Sequence, residues 1–283
     1  DNKGAEEDEF YAYGISADLI SNVVSAGLIR VASLNDIEKL EYKTLDNSEL
    51  SKKLFIRYIA QGSIWKKDSI FQLSMELYDT KTQRVTWSER WEKNWDELTT
   101  IKDELADKIL DKLKVDTKTD APTQAINTEA YEYYLRADYI YYKRETMKDI
   151  AISRGLYRKA IELDDNLIEA KTSLGWTYSE TGDYDKAMEI YTSVLKQAEE
   201  LGDKSGIGAS LNSIGVAYHN KGDHEKAMDY YERSLKIKEE LGDKRGIGAS
   251  LKSIGDLYSN KGDSAKALDY YDKSRKIKEE LGE

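Results

Sequence analysis

Cysteine is absent from the 283-residue chain, and proline occurs once, at Pro122. Without cysteine the chain forms no disulfide, no thiolate metal site and no cysteine nucleophile. A single proline argues against disorder and predicts long uninterrupted helices or strands. No apolar run reaches the length of a membrane span, and no signal-peptide pattern is present. Because the chain opens with DNKGAEEDEF and ends inside a repeat, we expect it to be a piece of a longer polypeptide.

Basic residues are outnumbered, with 43 Lys and Arg against 54 Asp and Glu and a formal net charge of −11. The acidic excess is spread over both halves of the chain. A nucleic-acid-binding protein normally carries a basic stripe, and none is visible, so nucleic acid is not the expected partner. The length of 283 residues favours two domains over one.

The C-terminal half repeats itself every 40 residues. Within each unit the pattern is apolar-Gly-x-x-Tyr, then Gly-Asp, then Ala-x-x-x-Tyr. The glycine before the tyrosine is small enough for two helices to approach closely, and the Gly-Asp pair is suited to end one helix and cap the next. The pattern therefore predicts a helix, a tight turn and a second helix in each unit. Its members are Gly175, Gly215 and Gly255, then Gly182–Asp183, Gly222–Asp223 and Gly262–Asp263, then Ala187, Ala227 and Ala267 with Tyr191, Tyr231 and Tyr271.

This pattern resembles the tetratricopeptide repeat. The resemblance implies an all-α right-handed solenoid of four repeats, near residues 128–164, 168–203, 206–243 and 246–281. A single repeat cannot bury its own apolar face, so the repeats must stack on one another. No distinct cap follows the last repeat, and we expect the apolar edge of its second helix to be exposed or covered by another molecule, for example in a homo-oligomer.

The N-terminal half predicts an α+β domain over residues 1–116. An amphipathic helix is expected at 15–27 and a short strand at 28–33. Three antiparallel strands are expected in IRYIAQGSIW, IFQLSMELYD and RVTWSERW, the second with alternating Phe71, Leu73, Met75 and Leu77 on one face. A final helix carries an apolar stripe from Trp95 to Leu113, and residues 117–127 are the expected linker.

The order of these pieces resembles the TolB-like N-terminal domain that stands beside tetratricopeptide arrays in bacterial signalling proteins. The matching stretches are YGISADLISNV, the strand block that ends at WSERW, and TTIKDELADKIL. The resemblance implies a mixed sheet with antiparallel strands, whose first strand is missing here because DNKGAEEDEFY has the character of a loop. It leaves both a periplasmic and a cytoplasmic position open. Relatives with this arrangement often carry an upstream effector, such as a class III nucleotide cyclase.

Candidate chemical sites are few. The GIGAS runs at 206–210 and 246–250 could present backbone N–H groups to a phosphate, but no P-loop or preceding strand accompanies them, so packing is the favoured interpretation. His219 and His224 lack the further ligands of a metal site. No catalytic residue, metal or cofactor is predicted.

In tetratricopeptide arrays the first helix of each pair lines the concave groove. The resemblance, with the register fixed at the three glycines, assigns nine residues to that groove: Thr172, Trp176, Ser179, Asn212, Val216, His219, Lys252, Asp256 and Ser259. This mixed set suits an extended peptide or a partner helix. The alternative, that these are merely tolerated solvent-facing residues, stays open.

The sequence therefore predicts a non-enzymatic scaffold or sensing module of a larger bacterial signalling protein, with a protein or peptide as partner. A second hypothesis is the regulatory, ligand-sensing region of a class III nucleotide cyclase whose catalytic domain is not in this chain.

Overall fold

The computed structural model of the chain describes residues 9–25, 31–40, 42–67, 69–114 and 126–280. It divides into two compact units, residues 1–149 and residues 150–283.

The described residues of the first unit form five α-helices and a small sheet. The elements are α1 (Glu9–Ser25), α2 (Leu34–Glu38), α3 (Asn47–Leu54), β1 (Tyr58–Lys67), β2 (Ile70–Asp79), β3 (Arg84–Asn94), α4 (Leu98–Leu113) and α5 (Thr128–Tyr142). Helix α4 is preceded by a 3-10 turn at Trp95–Glu97, and Asp46 caps α3 through a capping box with Glu49.

The sheet has the order β1-β2-β3 and is antiparallel throughout in the described part of the chain. The prediction of a mixed sheet is therefore wrong for these residues, because short hairpin turns connect each pair of strands. The predicted alternation of β2 is confirmed, since Phe71, Leu73, Met75 and Leu77 are all buried. The opposite face is polar, and the Ser63 and Ser74 hydroxyls lie 2.8 Å apart across the strands.

Helix α1 begins at Glu9, six residues before the predicted start, so the prediction of a loop is wrong for residues 9–11. Phe10 and Tyr11 are buried and extend the apolar face of the helix. Tyr11 lies edge-on to Trp95, with ring centroids 4.6 Å apart, and its hydroxyl accepts a 2.7 Å hydrogen bond from Lys66 Nζ. The strand predicted at 28–33 lies partly outside the described residues, and residues 31–33 are not in a strand.

The predicted stripe of α4 is confirmed, and α5 adds a second buried layer. Within α5, Tyr131 is fully buried and donates a hydrogen bond to Asp18 of α1. The tyrosine-rich start of α5 is therefore part of the core of the first unit. The buried α4 positions are Leu98, Ile101, Leu105 and Ile109, while Trp95 and Leu113 are half-buried.

The second unit is a succession of antiparallel helix pairs. The helices are α6 (Met147–Leu163), α7 (Ile168–Glu180), α8 (Tyr184–Leu201), α9 (Lys204–Lys221), α10 (His224–Leu241), α11 (Lys244–Asn260) and α12 (Ser264–Glu280). Three pairs pack together: α7 with α8, α9 with α10, and α11 with α12. Successive pairs are in contact through α8 and α9 and through α10 and α11.

Glycine sets the closeness of each pair. A Cβ atom on Gly175, Gly215 or Gly255 would lie 2.6 to 2.7 Å from the ring of Tyr191, Tyr231 or Tyr271. The tight turns are also as predicted, because Gly182, Gly222 and Gly262 have φ values of 82°, 88° and 79°. The aspartate after each glycine accepts a hydrogen bond from the backbone N–H three residues on.

The last helix pair, α11 and α12, differs from the preceding pair in the residues on its outer side. Arg275 stands where α10 has Leu235, which packs against the buried cluster of Ala227, Tyr231, Ile254 and Leu257. Arg275 instead bonds Asp272 and Glu279 of its own helix. The expected apolar edge is present at Leu268, which is 68% exposed.

Candidate interaction surface

The nine predicted groove residues lie three by three on α7, α9 and α11, the first helices of the three pairs; we call them the groove-face residues. Ser179 is buried at 6% exposure, which is less than a contact residue requires. The others reach the surface: Trp176, Lys252 and Ser259 are exposed, and Thr172, Asn212, Val216, His219 and Asp256 are half-buried.

Trp176 is the large apolar member of the set. It lies inside α7 and is 51% exposed. Its counterpart on α9, Val216, is half-buried against the cluster of Ala227 and Tyr231 with Ile254 and Leu257. An indole of this exposure is a surface that a partner can cover with a gain in free energy.

Asn212 occupies the centre of α9. Its Oδ1 atom is shielded from solvent and has no hydrogen-bond partner in the part of the chain that the structure describes. An amide oxygen left without a donor destabilises the free protein by about 1–3 kcal/mol.

His219, near the end of α9, links two successive pairs. Its Nε2 atom lies 2.6 Å from Nδ2 of Asn260 on α11, and its ring lies 5.5 Å from the ring of His224. Burial lowers the pKa of His219, His224 lowers it further, and Asp256 opposes the shift. The imidazole is therefore held in its neutral form near neutral pH.

Lys252 and Asp256 of α11 satisfy each other. Their Nζ and Oδ2 atoms are 2.9 Å apart, and Asp256 Oδ1 also accepts a 2.8 Å hydrogen bond from Tyr271. This hydrogen bond and the carboxylate charge raise the pKa of the Tyr271 hydroxyl. Both charges of the groove face are thus neutralised inside one helix pair.

Two side chains that the sequence did not single out hold the pairs together. Lys238 of α10 is 9% exposed, and its Nζ lies 3.2 Å from Oγ of Ser250 on α11. Burial lowers the pKa of Lys238. Arg154 of α6 donates through Nε to Oγ1 of Thr177 at 2.9 Å and also bonds Thr181. These contacts lie outside the 40-residue pattern, so periodicity gave no signal for them.

The packing interpretation of the GIGAS runs is confirmed. Residues 206–210 and 246–250 are helical, and the carbonyl of Gly208 accepts a 2.7 Å hydrogen bond from Ser234. Gly248 and Ser274 repeat this bond at 2.8 Å. Within the described ranges, His, Asp and Glu form no group of three that could hold a metal ion. No helix in the same ranges has the length and apolar character needed to cross a membrane.

Residues 206–280 and residues 170–205 each match a family model described as tetratricopeptide repeat. The chain therefore contains tetratricopeptide repeats, and its second unit is a helical solenoid of that type. Repeats of this kind generally form scaffolds for protein–protein interaction.

Among solved structures, aspartyl phosphate phosphatase F from Bacillus subtilis is 19% identical, with a TM-score of 0.50 over 66% of this chain and 49% of that chain. A Rap protein complexed with competence and sporulation factor is 18% identical, with a TM-score of 0.49 over 66% of this chain and 50% of that one. Among curated proteins, "Putative adenylate cyclase 3" of Rhizobium meliloti (strain 1021) is 26% identical over 87 residues. That stretch is 31% of this chain and spans 15% of the relative's length.

Proposed function

We propose that the chain is a non-enzymatic scaffold or sensing module of a bacterial signalling protein, and that it binds an extended peptide or a partner helix on the groove face. The observation that carries this proposal is the exposed indole of Trp176 on the first helix of a repeat, with polar groups on the two first helices that follow. An apolar anchor within a polar surround is the usual composition of a binding hot spot.

The domain division that we propose is a TolB-like N-terminal domain over 1–116, a linker over 117–127, and four repeats from 128 onward. The hairpin-connected sheet, with helix α4 after its last strand, suits the TolB-like assignment. In this division the first repeat spans residues 128–164, which lie outside both matched ranges. Expression of residues 128–283 tests the boundary, since a correct boundary gives a cooperatively unfolding fragment.

A capture experiment tests the proposed face. The full chain is immobilised and the bound proteins are compared with those held by the Trp176→Ala and Lys252→Glu variants. We expect at least one partner to be lost from both variants. The matched control is Lys196→Glu on α8, whose side chain is 78% exposed on the second helix of a pair. Retention of every partner by both groove variants would overturn the assignment.

A second candidate is the regulatory region of a class III nucleotide cyclase. The similarity to the cyclase-named protein of Rhizobium meliloti favours it, and the α+β unit would then sense a small ligand. The complete reading frame is the direct test. An in-frame cyclase domain whose activity changes when the present chain is deleted supports this candidate, and a frame that encodes no such domain rejects it.

A further inference from the structure

The first unit carries an exposed aromatic side chain at a position that disfavours it. Phe55 follows the last turn of α3 with φ of 54° and ψ of 44°, in the left-handed region that bulky residues rarely adopt. The residue is also 80% exposed, so its ring gains little from packing. Glycine adopts the same backbone conformation without cost. Folding therefore gives phenylalanine no advantage at this position, and its ring is available to a partner.

Five exposed cations belong to the same end of the sheet as Phe55. The carbonyl of Arg57 accepts hydrogen bonds from the backbone N–H and the hydroxyl of Thr80, at 2.9 and 2.8 Å, which holds the start of β1 against the turn between β2 and β3. Asp79, just before that turn, accepts hydrogen bonds from the Arg57 guanidinium and lies opposite Arg84 in the sheet. We call this surface the basic tip; it consists of Phe55 with Lys52, Lys53, Arg57, Lys81 and Arg84.

The positive charge of the basic tip is almost unopposed. Asp79 is 3% exposed and is paired with Arg57, whereas the other four cations form no ion pair with any residue that the structure describes. The carboxylates of α3, Asp46 and Glu49, lie at the opposite end of that helix. Five cations and one carboxylate give the tip a net charge of +4, in a chain whose net charge is −11. The tip is therefore a surface for an anionic partner.

The shape of the tip distinguishes between the anionic partners that its charge allows. An acidic peptide is held by a hot spot in a concave pocket that excludes water, whereas an aromatic ring at 80% exposure protrudes into solvent. A lipid interface accepts a protruding ring between its headgroups, while flexible lysine side chains reach the phosphates around it. Salt screens charges that lie more than about 10 Å away, so the acidic remainder of the chain does not prevent such an approach.

From these observations we infer that the basic tip docks on an anionic lipid surface, with the Phe55 ring between the headgroups and the five cations against the lipid phosphates. The sequence gave no sign of this surface because its cations come from two separate stretches, 52–57 and 81–84, that the sheet brings together. This inference concerns the first unit and is independent of the proposed groove face.

The test is co-sedimentation of the full chain with vesicles of phosphatidylglycerol and phosphatidylcholine in equal parts, and with vesicles of phosphatidylcholine alone. We expect binding to the mixed vesicles to be at least about tenfold tighter. Each cation near an anionic surface strengthens binding about fivefold, so the double reversal Lys52→Glu with Lys53→Glu should weaken it at least about twentyfold. The matched control is Lys196→Glu on α8, with a side chain that is 78% exposed, and it should change binding less than about twofold.

Replacement of Phe55 separates docking from folding. Phe55→Gly should weaken binding to the mixed vesicles about tenfold or more, because the apolar ring no longer leaves water. Its unfolding midpoint, measured by circular dichroism, should stay the same or rise, since glycine favours the positive φ. Phe55→Trp should retain the binding. A lower midpoint with unchanged binding would assign Phe55 to the fold and overturn its role in docking.

The remaining outcomes are also decisive. Equal binding to neutral and mixed vesicles, or unchanged binding in both the double lysine variant and Phe55→Gly, would overturn the inference. Binding of soluble polyglutamate that depends on Phe55 and displaces the vesicles would overturn it in favour of an acidic peptide. Trp176→Ala should leave vesicle binding unchanged, so failure of the docking inference leaves the proposed function standing.

Discussion

Replacement of Gly215 by alanine should destabilise the second unit, although alanine is the better helix former. The added Cβ would lie 2.7 Å from both Cδ1 and Cε1 of Tyr231, whose side chain is only 1% exposed. Overpacking of this kind costs about 1–3 kcal/mol. The higher helix propensity of alanine offsets about 1 kcal/mol of this cost, so we expect a net loss of up to about 2 kcal/mol.

Gly155 provides the matched control. It lies within α6, and an added Cβ there would meet no atom within 4 Å. Gly155→Ala should therefore stabilise the protein by about 0.5–1 kcal/mol. Urea titration followed by circular dichroism measures both free energies of unfolding. Equal stabilisation by the two substitutions would refute the idea that glycine sets the distance between paired helices.

Three further variants test the junctions between pairs and the outer side of the last pair. Lys238→Met keeps the buried volume and removes a buried charge whose main partner is Ser250 Oγ. We therefore expect it to raise the free energy of unfolding by about 1 kcal/mol. A lower free energy of unfolding in urea titration would contradict this. Because the pKa of His219 is lowered on folding, its contribution is present above about pH 6.5 and is lost as the pH falls through the folded pKa. Melting curves of His219→Gln should accordingly show a smaller acid-induced loss than the wild type. The double substitution Asp256→Val with Arg275→Leu gives the last pair the apolar residues that the preceding pair has at these positions. It should cause concentration-dependent association in sedimentation. A strict monomer would argue against the idea that these two charges keep the last pair from associating.

The repeated helix pairs are predictable because each depends on local chemistry that recurs with a fixed spacing. Gly222 ends a helix with a positive φ and Asp223 caps the next one, and both effects operate within a few residues. The strand β2 is predictable for a similar reason, since its alternation of apolar and polar residues reports directly which face is buried.

The features that the sequence did not predict depend on contacts between distant segments. Glu9 to Tyr11 follow an acidic stretch typical of a loop, yet Tyr11 is helical because Trp95 and Lys66 pack against it. Ser179 has the register of a groove residue, but register does not report how much of a side chain its surroundings cover. The contact between His219 and Asn260 joins residues 41 apart, one off the repeat period, and nothing in the pattern relates them.

Site-specific photo-crosslinking tests the proposed groove face most directly. A photoreactive phenylalanine derivative is placed at position 176 on α7 and, in a second variant, at position 196 on α8, and each is irradiated together with a captured partner. Position 176 should crosslink to the partner, while position 196 should give no product. Equal crosslinking at both positions, or crosslinking at 196 alone, would contradict the proposal that the first helices form the binding face.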